Sequence, residues 1–146
     1  MTEQELLLEG WRFDLWANEI WLAAAQDMPQ PARPLEILGH VAWAQENWLG
    51  RVDPRFSPAQ APLSVRFKQL NSHWVELTKS RDLCEVVGYR NLAGETYNNE
   101  FGAICRHVID HGTYHRGHLR GIAEMQGWQD FPETGLIGLF RTFQLH

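Results

Sequence analysis

His111 and His115 stand four residues apart in the run His107-Val108-Ile109-Asp110-His111-Gly112-Thr113-Tyr114-His115-Arg116-Gly117-His118. On an α-helix that spacing brings two imidazoles out on one side, about one turn and roughly 6 Å apart along the axis. Two neutral imidazoles so placed can grip one divalent cation. The competing reading is a set of hydrogen-bonded core histidines. It is weakened by the neighbours: Ile104, Val108, His111, His115, His118, Ile122 and Met125 read as one inward stripe at four-three spacing, and its aliphatic members offer ring nitrogens no partners.

A third ligand is expected from His40, in Leu38-Gly39-His40-Val41-Ala42-Trp43. It falls within the arc of Ile37, Val41 and Ala44 and should point inward, with Gly39 leaving room for a facing helix. The predicted metal set is therefore His40, His111 and His115. Three nitrogen ligands leave at least one position open, as in catalytic or substrate-binding sites, whereas structural zinc sites are closed by four protein ligands. Imidazoles suit zinc, nickel, copper and iron, and spacing does not choose among them.

Other polar and aromatic residues have two readings each. His107 and His118 lie near the stripe, where either could orient a ligand through a hydrogen bond, and His118 is the stronger spare ligand. His73 falls off the main stripe of its helix and reads as a surface residue; His146 is terminal and reads as solvent-facing. Glu46, one and a half turns after His40, is a candidate general base. Arg116 reads as an anchor for a substrate carboxylate or as an exterior salt bridge. Asp14 and Asn18 read as groups that orient ligands, or as a polar contact between helices or across a dimer. Trp43, Trp48 and Tyr114 either wall a pocket or belong to the core. No residue is assigned a catalytic role.

The elements that must position these residues follow from periodicity and breakers. A first helix starts after Thr2, with Glu5 as its capping-box partner, and runs to about Asp27 before Pro29 and Pro31. Its apolar stripe is read as Leu6, Phe13, Ala17, Ile20 and Ala24, beside a mixed stripe of Trp11, Asp14, Asn18 and Trp21. A second helix runs from near Pro34 to about Val52, with Ile37, Val41, Ala44 and Trp48 inward. A third, from Leu63 to about Ser80, places Leu63, Phe67, Leu70, Trp74 and Leu77 on one face. Val86, Val87, Tyr89, Thr96 and Tyr97 favour strand, and Ala93-Gly94 suits a tight turn, so a short hairpin or extended connection is expected. A fourth helix runs from about Glu100 to Gln126 and stops at Gly127. The apolar tail from Phe131 onward should pack back on the helices or on a partner. The predicted fold is all-α: a four-helix bundle, with residues 1–146 as one domain.

Composition narrows the function. The 146 residues carry a net charge of −5, and no basic run appears, which argues against a nucleic-acid partner. Cys84 and Cys105 lie far apart, outside any Cys-x-x-Cys pattern, as in reduced cytosolic proteins. No stretch reaches the roughly 18 apolar residues that a membrane span needs, and the acidic opening Met1–Glu5 lacks signal-peptide features, so a cytoplasmic location is expected. Seven Trp and seven Phe exceed what a small core should absorb. Trp11 and Trp21 are expected to leave apolar surface for a homodimer built on the first and fourth helices.

Trp16-Ala17-Asn18, Leu38-Gly39-His40, Gln45-Glu46-Asn47-Trp48 and His111-Gly112-Thr113-Tyr114-His115-Arg116-Gly117 resemble the DinB family, bacterial metal-binding four-helix bundles related to the YfiT-like proteins. The resemblance covers nearly the whole chain and implies that His40, His111 and His115 hold one nickel or zinc ion with open positions, often in a homodimer. Two departures stand out: His118 replaces a customary Gln, and Gly135 follows Thr134 where the tail often has Asp. Related proteins include bacillithiol- or mycothiol-dependent S-transferases and a mycothiol-dependent isomerase. The resemblance thus implies a metal-dependent thiol transferase acting on a small electrophile, with a low-molecular-weight thiol as partner. The alternatives are a metal-dependent hydrolase and a non-catalytic metal-binding stress-response protein. No basic patch for an anionic thiol is evident in the sequence.

Overall fold

The computed structural model describes residues 1–142. His146 lies outside them. The described residues form five helices and one two-stranded sheet: α1 Glu3–Gln26, α2 Ala32–Val52, α3 Leu63–Ser80, β1 Val86–Arg90, β2 Thr96–Glu100, α4 Phe101–Met125 and α5 Leu136–Thr142. α1 packs on α3, α4 and α2, and α2 packs on α4 and α3.

Local chemistry accounts for the boundaries. Thr2 and Glu5 close the expected capping box: the Glu5 N–H donates to Thr2 Oγ1 at 3.1 Å and the Thr2 N–H donates to the Glu5 carboxylate at 2.7 Å. α2 begins two residues earlier than expected, after Pro31, because Pro34 in the first turn lacks only an N–H that would have no helical partner there. α4 ends at Met125 with Gln126 as its cap, and Gly127 just beyond turns the chain away at a φ of +70° that suits glycine.

The core centres on large rings. Trp11 and Trp74 stack with centroids 4.8 Å apart, and Trp11 Nε1 donates to Thr78 Oγ1 at 2.9 Å, so a fully buried indole meets its polar need inside. Phe67, Leu70, Trp74 and Leu77 of α3 are buried as the periodicity predicts.

On α1 the expected stripe holds in part: Phe13 and Ala17 are buried, Ile20 and Ala24 half-buried and Leu6 exposed, and the mixed stripe is inward as well, with Trp11, Asp14, Asn18 and Trp21 all buried. Polar residues on this face are tolerated because they pair with one another and with α2 and α4. The burial of Trp11 and Trp21 removes the leftover apolar surface on which the homodimer expectation rested.

On α4 the inward line is Phe101, Ile104, Cys105, Val108, Gly112, Arg116, Leu119 and Ala123. The expected stripe holds at Ile104 and Val108 and then drifts, leaving His118 and Met125 exposed and His111 and His115 on the shoulder of the helix. On α2, Leu38, Gln45 and Leu49 are buried, Trp48 is only half-buried, and His40 is exposed at the edge of the arc.

β1 and β2 pair antiparallel, with Tyr89 opposite Tyr97. The turn is built by Asn91, whose side-chain oxygen accepts from the N–H groups of Ala93 and Glu95, and by Gly94 at φ +84°. β2 runs directly into α4. The junction is tied by the Phe101 N–H to the Glu85 carbonyl and the Gly102 N–H to the Leu83 carbonyl, both at 2.8 Å. The tail folds back: Leu139 of α5 is buried with Phe13 and Ala17, and Trp21 Nε1 donates to Thr134 Oγ1 at 3.0 Å. Both cysteines are free thiols, Cys84 exposed and Cys105 buried. Among the described residues no helix is long and apolar enough to cross a membrane.

Candidate metal centre

Contact between α2 and α4 brings the three predicted histidines together. The rings of His111 and His115 have centroids 4.4 Å apart, and His40 lies 4.7 Å from His115 and 5.4 Å from His111. One ligand atom from each lies within 4.8 Å of the others. His111 and His115 are half-buried, while His40 stands on the solvent side.

A buried polar network beside the cluster fixes the register of the helices that carry it. Arg116, the residue after His115, donates through Nη1 to Asp14 at 3.1 Å and to Asn18 at 2.6 Å. Gln45, five residues after His40, donates to the other Asp14 oxygen at 2.6 Å, and Asn18 donates to it at 3.2 Å. Three helices thus meet on one carboxylate. Burial pushes the Asp14 carboxyl up, while Arg116 and Gln45 pull it down. Arg116 is therefore neither an exterior salt bridge nor open to a substrate. Asp14 and Asn18 form the contact between helices that the sequence left as one alternative.

The donor set fits a divalent transition-metal ion. The Nε2 atoms of His111 and His115 are 3.0 Å apart. Two nitrogens at about 2.1 Å from one ion and at about 90° stand about 3.0 Å from each other. Without an ion, the same contact is a hydrogen bond in which one Nε2–H donates to the other ring. His115 Nδ1 is buried with no hydrogen-bond partner among the described residues. Burial, followed by the neighbouring His115, His40 and His107, lowers the His111 pKa to about 4. Burial and then His40 and His118 lower that of His115. Both rings are thus held neutral at physiological pH, the form that ligates.

The remaining candidates divide. His107 is exposed and packs edge-on against Trp48 at 5.3 Å, beside His111 at 6.0 Å. His118 is exposed and stands outside the three-histidine group. His73 lies away from the centre; its Nε2 contacts the Asp53 carboxylate at 2.9 Å and its ring meets Phe56, so it is a structural partner and not a free surface residue. Glu46 is held by Arg66 of α3 through a two-pronged ion pair. Cys105 is buried in the core and stands outside the three-histidine group; burial pushes its thiol up to about 12.

A cavity of about 430 Å3 opens beside the histidines. His40, His111 and His107 contribute its histidine side, Trp43, Trp48 and Leu92 its apolar walls, and Asn47 and Arg51 its polar end. Trp43 is exposed and stacks on His40 at 5.7 Å, and exposed Tyr114 meets His115 edge-on at 5.2 Å. These rings surround the site and are not core. Neither Asn47 nor Arg51 was given a role from the sequence, although His40, Trp43, Asn47 and Arg51 recur at helical spacing on one face. No protein-family model, curated protein or solved structure matches this chain.

Proposed function

We propose that the protein binds one divalent metal ion, zinc or nickel, through His40, His111 and His115, on a four-helix bundle of the DinB/YfiT-like kind made by α1 to α4. The observation that carries the reading is the convergence of three imidazole donors from two helices beside an open cavity. The ion would supply Lewis acidity and lower the pKa of a thiol or water that reaches it. The chain's own residues do the rest. His111 and His115 enter neutral, the Asp14–Arg116–Gln45 network keeps α2 and α4 in register, and Trp43, Trp48 and Leu92 give one side of the site an apolar wall.

Within this reading the reaction is thiol transfer to a small electrophile, with a low-molecular-weight thiol as the ligand of the open position. Hydrolysis is less well supported. Glu46, its candidate base, is engaged by Arg66, and no carboxylate is among the cavity-lining residues. A homodimer, expected in the cytoplasm, belongs to the same reading through the resemblance alone.

The test is elemental analysis of protein purified without a histidine tag, followed by cobalt replacement and titration with a small thiol. About one ion per chain and a saturable sulfur-to-cobalt charge-transfer band are expected. A metal-free protein that binds none on titration sinks the reading. Bound metal without a thiol band favours storage or a closed site and withdraws the transferase assignment.

A further inference from the structure

Resting on the metal reading, we propose that Arg51 makes the far end of the cavity an anion subsite, so that the ligand is a small molecule with a metal-binding donor at one end and a carboxylate at the other. Arg51 is in the last turn of α2, eleven residues and about three turns after His40, and lines the same cavity. Its guanidinium lies 4.3 Å from the centroid of Trp48 and 5.3 Å from that of Tyr89. The rings hold the group in place without consuming its N–H donors, which point at no carboxylate among the described residues. The Asn47 side-chain amide lines the same end and likewise has no hydrogen-bond partner there.

Charge points the same way. The chain is acidic overall, at −5, yet the lining of this cavity holds one arginine and no Asp or Glu. An adjoining depression of about 450 Å3 shares Trp43, Asn47, Arg51 and Leu92 and adds Arg90. Its only acid, Glu46, is neutralised by Arg66. A small anion therefore finds fixed donors at one end and apolar rings along its middle. A guanidinium reads a planar carboxylate with two parallel N–H groups, which an ammonium does not reproduce. The volume suits a molecule of metabolite size.

The probes are the matched pair 8-mercaptooctanoate and 8-mercaptooctan-1-ol, long enough to run from the histidines to Arg51, titrated into the cobalt-loaded protein with the thiolate band as readout. The carboxylate thiol should bind about five- to tenfold more tightly. Arg51→Gln should bring the two affinities within about twofold while leaving cobalt stoichiometry and the affinity of the alcohol unchanged. Arg51→Lys should restore part of the preference. Arg51→Met, which keeps an aliphatic stem over Trp48, repeats the comparison should the glutamine variant lose its helical dichroism. Equal affinities in the native protein overturn the subsite and leave the metal site standing. A preference that survives both neutral variants comes from the ion itself and overturns it too. Failure to take up cobalt overturns the metal reading and the subsite with it, whereas bound cobalt with no band from either thiol overturns the subsite and the transferase reading and leaves the metal site standing.

Discussion

Asp14 of α1 and Arg116 of α4 lie 3.1 Å apart with side chains only 2% and 3% exposed, one residue beyond a candidate ligand. A charge pair taken so far out of water holds only while each partner and the surrounding amides remain. Asp14→Ala should therefore cost about 3–5 kcal/mol, because Arg116 is left buried and uncompensated. The double variant Asp14→Leu, Arg116→Met should cost far less than the sum of the two single changes. Denaturant titrations of Asp14→Ala, of Asp14→Leu and Arg116→Met singly, and of the double variant check this, and additive losses would show that the pair is not coupled.

Gly112 is the second expectation. A Cβ there would stand 2.6 Å from Asp14 Oδ1 and 2.9 Å from Arg116 Nη1. Alanine elsewhere in a helix gains up to about 1 kcal/mol over glycine. Here Gly112→Ala should lose about 1–3 kcal/mol, since the atoms it meets are fixed by the buried network. Thermal melts beside Gly117→Ala, where a Cβ meets nothing within 4 Å, isolate the clash. A stabilised Gly112→Ala would show that the network yields.

The ligand set predicts a pattern across four alanine variants. His40→Ala, His111→Ala and His115→Ala should each lose stoichiometric metal and keep helical circular dichroism. His73→Ala should keep its metal and lose about 1–2 kcal/mol, because Asp53 is almost buried and would forfeit a partner. Full retention of metal in any of the first three breaks the set.

Acid should act twice on the same residues. His111 titrates near 4 in the folded protein and near the ordinary 6.5 when unfolded. Between those values the unfolded chain holds more protons, so folding stability of the metal-free protein falls as pH drops from about 6.5 towards 4 and is flat above. His115, shifted the same way, adds to the slope. The metal should leave over acidic pH because protons compete for the same nitrogens. Melting temperatures of native and His111→Asn protein from pH 4 to pH 8 check the first effect. A variant as acid-sensitive as the native chain would remove His111 as the cause.

Much of this was legible in the sequence, and the failures have physical causes. The capping box, the α3 stripe, the hairpin and the approach of His40 to His111 and His115 follow from local chemistry and period. The inward line of α4 was misread past Val108 because an apolar stripe was followed where the helix turns in a glycine and an arginine. Arg116 is mostly aliphatic stem, and its charge is tolerated only through Asp14, 102 residues away. Pairing at that distance leaves no periodic trace. For the same reason the mixed stripe of Trp11, Asp14, Asn18 and Trp21 reads as leaving its rings to a partner subunit, although the polar members are the ones that let the rings sink inward. Arg51 and Asn47 were legible by spacing, but the placement of the hairpin tip against their cavity was not.

The tip of that hairpin, Asn91 to Ala93, forms one wall of the space beside the histidines, and its Leu92 is 78% exposed. The donors sit on helices locked by a buried network, whereas this wall hangs from a surface turn whose backbone is satisfied by a single asparagine and a glycine. Under the metal reading, the anchor and the doorway are thus separate parts: replacing residues 91–93 should reshape what can approach the histidines without disturbing the helices that carry them.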